Sequence, residues 1–463
     1  MWALVTILIS GIIALLTEIF NFKKALYGLS LLGILIALVF NVMEWNHPFS
    51  WEYSDSMVLF DKVALAFSSV LLITVFLWFL MSQSYFNEET NLVEHTSLVL
   101  FSLIGSMLLV SFNNLVSLFL GIEILSIPLY VLAASNKKDI LSNEAGFKYL
   151  IMGSFASGFL LFGIALLYGA SGSFDLWTIY STLSTDHVPT FAYTGIVMIL
   201  IALAFKVSIA PFHFWTPDVY EGSPIVITAL MSTIVKTSVF VAIMKLFLWY
   251  FYPAFNHYVE LVAGMIILSL VVSNFSALRQ TNIKRLLAFS SISHASIMLL
   301  LVIANIRNNS TINALLYYTF AYSIANITAF AVIRLISQQQ EERIEVLKGL
   351  IYKQPLLAIT LMIALLSMAG IPVTAGFFAK YYVLSALMMS SYKWMIIAAI
   401  LASILGVVYY LKLIITMFEK ESKQKDVWDI TISSKEWVLL VVSLVLLILA
   451  GVYPDGIAFY LIK

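Results

Sequence analysis

A chain of 463 residues that is 62% hydrophobic and 11% charged is not a soluble domain. Its formal net charge of zero gives no attraction to nucleic acid, and with no cysteine it offers no disulfide, thiolate metal site or iron–sulfur ligation. Apolar runs near twenty residues recur from end to end, and they are continuous rather than alternating, which excludes a β-barrel and predicts an all-α polytopic membrane protein embedded in the lipid bilayer.

The runs predict about fourteen transmembrane helices. The first three cover 2–20, 25–43 and 57–83. The first lacks a basic leader and a small-residue cleavage site, so it reads as a retained helix. Asp61, Lys62, Glu88, Glu89 and Glu94 read as interfacial or solvated. Runs at 96–112 and 114–134 follow, and Glu123 lies nine residues into the second of them, within "LFLGIEILSIPLY". The sixth run, 143–170, opens with Glu144 and Lys148, spaced as an ordinary helical ion pair. The seventh, 191–219, is interrupted: Pro211 and Pro217 follow Lys206, and His213 sits between them as a satisfied structural histidine or a proton carrier. The eighth, 224–249, carries Lys236 twelve residues past Pro224. Runs at 258–276, 284–303 and 312–336 come next, with His294 in the tenth. The twelfth, 356–389, is interrupted by Gly370, Pro372 and Gly376, with Lys380 just after them. Runs at 393–417 and 434–453 complete the set.

Lysine and arginine fix an orientation. Loops after odd-numbered runs hold fifteen of them, from Lys23 to Lys435 and including Lys423 and Lys425, against Arg307 and Lys393 after even-numbered runs. The odd loops are therefore cytoplasmic, and both termini lie outside. Five runs separate the two interrupted ones, so runs 4 to 8 and 9 to 13 would enter the membrane from opposite sides as an inverted repeat. The expected organisation is 1–95 (helices 1 to 3), 96–250 (first repeat), 258–417 (second repeat) and 434–463 (last helix). Interrupted helices at matching positions point to an ion or substrate site, because unwound backbone survives at that depth only beside a protected or wet cavity. A pair of packing kinks is the plainer alternative.

At 1.5 Å per residue, Glu123 and Lys236 fall near mid-bilayer, and Lys206, His294 and Lys380 also lie within runs. Lys148, Lys245 and Lys412 are close enough to an interface to snorkel. In an apolar bundle a desolvated lysine releases its proton more readily, and a nearby carboxylate opposes that, so moving the negative charge switches the lysine between holding and releasing. A buried histidine can relay at physiological pH. This is the chemistry of a proton path. Metal binding is disfavoured, since His213, His294 and Glu123 have no ligand spacing, and "SFASG" at Ser154 to Gly158 lacks the frame of a hydrolase nucleophile.

"LVSLFLGIEILSIPLYVLAA", "SNEAGFKYLIMGSFASGFLLFGIALLYGASG", "AFKVSIAPFHFWTPDVYEGSP", "NIKRLLAFSSISHASIM" and "AGIPVTAGFFAKYYV" closely resemble the antiporter-like subunit N family of the bacterial proton-pumping NADH-quinone oxidoreductase, respiratory complex I. The resemblance runs from about Phe60 to Lys380. It implies fourteen helices in two inverted five-helix repeats, set in the membrane arm of the bacterial inner membrane beside neighbours of the M and K types. It also implies that flavin, iron–sulfur clusters and quinone belong to partner subunits, with no cofactor in this chain. Glu123 then resembles the family's fifth-helix glutamate, Lys206 its lysine before the first break, Lys236 its connecting lysine, Lys380 its exit-side lysine and His294 a central relay. The eleventh run, "ALLYYTFAYSIANITAFAV", has no lysine or histidine where related subunits often do, which leaves water, Tyr317, Tyr318 or Tyr322 to link His294 onward. Membrane subunits of Na+/H+ antiporters and of energy-converting hydrogenases share the fold and remain alternatives, as does a structural spacer with buried charges that only fix packing.

Overall fold

The computed structural model describes residues 1–20, 23–46, 57–87, 92–307, 309–337, 342–420, 432–454 and 456; Glu88, Glu89, Lys423 and Lys425 lie outside them. Each predicted apolar run is helical over most of its length. Helices α1 (Trp2–Ile19), α2 (Lys23–Asn46) and α3 (Lys62–Asn87) precede α4 (Leu92–Ser111), α5 (Leu115–Ala133) and α6 (Ile140–Ser171). A helix outside the predicted apolar runs follows, α7 (Leu176–Leu183). It is too short to span, but Asp175 caps it through Thr178 N at 2.8 Å, and Leu176, Ile179 and Leu183 bury one face.

The interrupted seventh run is α8 (Thr190–Lys206) and α9 (Trp215–Gly222). The eighth is α10 (Ile225–Leu230) and α11 (Lys236–Met244), joined by a π-helical turn at Met231–Val235 and extended by another at Lys245–Tyr250. Next come α12 (Phe255–Leu278), α13 (Ile283–Ala304) and α14 (Asn309–Ser337). The short α15 (Leu350–Lys353) leads to the interrupted twelfth run, α16 (Pro355–Ala369) and α17 (Ala375–Met388). The remaining helices are α18 (Met395–Phe418) and α19 (Ser434–Val452).

Among the described residues twelve helices are long and apolar enough to cross a membrane, and α8, α16 and α17 are shorter apolar pieces beside the breaks. Burial sorts the spanning helices. The most apolar stretch of α1 is 28% buried, whereas Ile225–Tyr250, α13 and α14 are buried all round. A helix enclosed on every side can hold polar groups facing one another, and a helix facing lipid cannot.

Hydrogen bonds hold the chain in place at each break. In the first, Ile209 N donates to Ala204 O at 2.8 Å, Ala210 N donates to Ser269 Oγ on α12 at 2.8 Å, and Thr216 Oγ1 donates to Ser208 Oγ at 2.7 Å. In the second, Gly370 takes φ +84°, Ile371 N donates to Leu366 O at 3.1 Å and Gly376 N donates to Ser367 Oγ at 3.1 Å. Pro211 and Pro372 both lie in non-helical backbone, as predicted.

Candidate functional site

The first cluster is built on α5. Glu123, Ser126 and Tyr130 are spaced three and four residues apart, so they share a helix face. Lys206, the last residue of α8, points at that face and is 4% exposed. Its Nζ donates to Ser126 Oγ at 2.9 Å and to Tyr130 OH at 2.7 Å, and it lies 5.2 Å from the centre of the Tyr130 ring. Glu123 accepts a 2.5 Å bond from Ser157 Oγ of α6. Among the described residues Lys206 and Glu123 make no direct ion pair; Ser126, one turn along α5 from the carboxylate, is what the ammonium touches. Ser126, Tyr130 and Ser157 were missed at the sequence level, although the E-x-x-S-x-x-x-Y spacing could have found the first two.

At one end of α9 lies a charged network. Lys148 pairs with Glu144 at 2.6 Å, as its spacing predicts, and also with Asp218 at 2.8 Å. Arg285 on α13 bonds Asp218 at 2.9 Å and Glu221 at 2.7 Å. These groups line a cavity of about 200 Å³. Next to it Lys284, buried, pairs with Glu342 at 2.7 Å and donates to Ser223 O at 2.9 Å. Burial pushes the Glu342 carboxyl above its usual range, and the Lys284 charge opposes that rise. His213 is buried inside the first break, and its Nδ1 has no partner among the described residues.

The second cluster occupies the enclosed helices. Lys236 opens α11 directly after the π-helical turn, and its Nζ donates to the carbonyl of Ser291. Tyr322 OH donates to Ser291 Oγ at 2.9 Å. Three residues further along α13, His294 is hydrogen-bonded on both sides: Nδ1 to Tyr318 OH at 2.7 Å and Nε2 to Tyr410 OH on α18 at 3.2 Å. Tyr410 also contacts Ser290 Oγ. Tyr318 and Tyr322 lie one turn apart on α14 and face this cluster, whereas Tyr317 points away, donating to Ala450 O at 2.6 Å and packing on Tyr382. Of the three tyrosines expected to link His294 onward, Tyr318 bonds it, the Tyr322 ring packs beside it and Tyr317 does not reach it. Tyr410, which bonds the other ring nitrogen, is singled out by no spacing in the sequence.

A cavity of about 10 Å³, at the lower limit for one water, is lined by His294, Tyr318, Tyr322, Ser367, Gly376 and neighbours, and it joins the histidine to the second break. Beyond it, Lys380 Nζ donates at 2.8 Å to Ala369 O, a carbonyl at the end of α16, where a cation is favoured. A further cavity of about 250 Å³ opens beside Lys380, Gly370, Tyr381 and Ser403. Lys245, expected to snorkel, is partly exposed, and its Nζ donates to Val110 O at 2.9 Å, near the end of α4, and sits 5.5 Å from the Phe112 ring centre.

Broken helices with a lysine bonded beside each break, arranged around an enclosed histidine, define an antiporter-like membrane subunit. The family described as "NADH:quinone oxidoreductase/Mrp antiporter, TM" matches residues 112–406. The fold matches an archaeal membrane-bound sulfane sulfur reductase with a TM-score of 0.89 at 24% identity, over 99% of this chain and 95% of that one. It matches a chain of respiratory complex I from Thermus thermophilus with a TM-score of 0.85 at 30% identity, over 99% of both. The proteins named NADH-quinone oxidoreductase subunit N from Flavobacterium psychrophilum and Cytophaga hutchinsonii are 44% and 40% identical, over 96% and 98% of this chain and the same shares of theirs. The chain belongs to the subunit N family of NADH-quinone oxidoreductase.

Proposed function

We propose that the chain is a proton-translocating subunit of the membrane arm of NADH-quinone oxidoreductase, coupling electron transfer in partner subunits to proton movement across the membrane. The observation that carries this reading is the run of polar groups within enclosed helices: Lys236 on Ser291, Ser291 on Tyr322, and His294 between Tyr318 and Tyr410. Buried cations and imidazoles at membrane depth are expensive and mark ion or proton pathways.

In this reading Glu123 biases the charge on Lys206, and protons pass by Lys236 and the His294 region to Lys380 and outward. Because Glu123 and Lys206 are not in contact, the coupling acts through the field and through Ser126 and Tyr130. Glu144 and Lys148 support the first cluster from the charged end of α9; His213 and Pro211 belong to the first break, and Pro372 to the second. Residues 96–250 and 258–417 form the two inverted repeats, flanked by 1–95 and 434–463. The chain sits in the inner membrane of a bacterium with both termini on the outer side, between neighbours of the M and K types. NADH, flavin, iron–sulfur clusters and quinone belong to partner subunits.

Alanine at Lys206 and at Lys236, each in the assembled complex, tests the path. Both variants are expected to assemble on native gels and to lose most quinone-coupled pumping in inverted membrane vesicles. Wild-type pumping in both would refute the path.

A further inference from the structure

Nothing in the sequence marks Tyr410, yet it holds one of the two ring nitrogens of the only histidine in the enclosed helices Ile225–Tyr250, α13 and α14. We propose that Tyr410 on α18 is a further positioning residue of the proton path, which keeps the His294 ring turned toward Tyr318 and keeps Nε2 hydrogen-bonded in every protonation state. The inference rests on the reading that His294 lies in that path.

A relay histidine must be neutral with the proton on either nitrogen, and at other times doubly protonated. Each nitrogen therefore alternates between accepting and donating. A buried partner that can only accept or only donate leaves a nitrogen unmatched in one of those states, and an unmatched buried polar atom disfavours that state. A phenol hydroxyl does both. His294 has a phenol on each side, Tyr318 on α14 and Tyr410 on α18, so all three states keep two hydrogen bonds.

The Tyr410 hydroxyl is itself anchored. It contacts Ser290, one turn before His294 on α13, and the Tyr410 ring lies 4.6 Å from that of Tyr409, so neither ring nor hydroxyl can drift without breaking a contact. With Nε2 tied to α18, Nδ1 faces Tyr318 and the small cavity that reaches Ser367 and Gly376 at the second break. Positioning is what Tyr410 supplies; the onward connection lies on the Tyr318 side.

The test is Tyr410→Phe in the assembled complex, with Tyr317→Phe as the control. Tyr317 is also buried and hydrogen-bonded, to Ala450 O, but does not touch His294. Tyr410→Phe is expected to assemble and to oxidise NADH with ferricyanide at the wild-type rate. Its kcat for quinone and its pumping in inverted vesicles should each fall about tenfold, the factor set by one lost buried hydrogen bond, with the quinone KM unchanged. Tyr317→Phe should pump normally. Wild-type pumping by Tyr410→Phe, or equal losses in the two variants, overturns the proposal. If Tyr410→Phe does not assemble, Ser290→Ala and Ser290→Thr decide: loss in the first with retention in the second supports the proposal, and equal behaviour overturns it. His294→Gln separates the layers. Normal pumping there removes His294 from the path altogether, whereas loss there beside normal pumping in Tyr410→Phe overturns the role of Tyr410 alone.

Discussion

Gly370→Ala probes whether the second break exists to seat Lys380. Gly370 closes α16 at φ +84°, a conformation that costs an L side chain about 1–2 kcal/mol. A Cβ there would also lie 2.9 Å from Lys380 Cδ and 3.3 Å from its Cε and Nζ. The lysine stem must swing aside, and the 2.8 Å bond from Nζ to Ala369 O goes with it. A bond to a charged group contributes about 1.5–3 kcal/mol, so backbone strain and lost bond together amount to about 2.5–5 kcal/mol. Most of that falls on the seat of one lysine rather than on the bundle. The expected result is a complex that assembles, melts a few degrees lower in detergent, and pumps at a small fraction of the wild-type rate in inverted vesicles. Gly158→Ala is the control, since nothing lies within 4 Å of the added carbon. Gly376→Ala marks the other extreme: its Cβ would sit 1.7 Å from Ser367 O, which no side-chain motion relieves, so assembly should fail. Wild-type pumping and melting in Gly370→Ala would show that the left-handed turn and the lysine seat are independent, and the reasoning would be wrong.

Replacing Glu123 separates charge from shape: Glu123→Gln can still accept the bond from Ser157 but loses the charge, so pumping should fall, while Glu123→Asp keeps an appreciable part of it. Normal pumping in Glu123→Gln with loss in Glu123→Asp would favour the spacer. Arg334 on α14 and Glu436 at the start of α19 form a buried ion pair, and removing one member of such a pair costs about 3–5 kcal/mol. Arg334→Ala should therefore lower the yield of assembled complex on native gels, and a wild-type yield would show that the bonds from Ser433 N and Oγ suffice to hold the Glu436 carboxylate.

Much of the fold was legible because membrane helices obey a one-dimensional rule. Every backbone polar group in the hydrocarbon must be satisfied within its own segment, so hydropathy alone reveals the segments. The same rule made both breaks visible, since proline and paired glycines interrupt that satisfaction at Pro211, Gly370 and Pro372. Lys206, Lys236, His294 and Lys380 stood out for a related reason: an ionisable group in an apolar run needs an explanation wherever it lies. The eight-residue α7 was not legible, because its capping and its one apolar face are too brief to register against runs near twenty residues.

Chain order and hydropathy therefore determined which residues are buried in the membrane and which of them are ionisable. They did not determine partners. Ser126 rather than Glu123 meets Lys206, Tyr410 rather than Tyr317 meets His294, and Val110 O of α4 meets Lys245. Each of these choices depends on the rotation of one helix about its axis against another. At 100° per residue, a single step along α14 separates Tyr318, which faces the histidine, from Tyr317, which faces α19. Because α13 and α14 are buried on every side, neither has a lipid- or water-facing stripe to fix its rotation from the sequence; packing between helices fixes it, and only the tertiary structure reveals it.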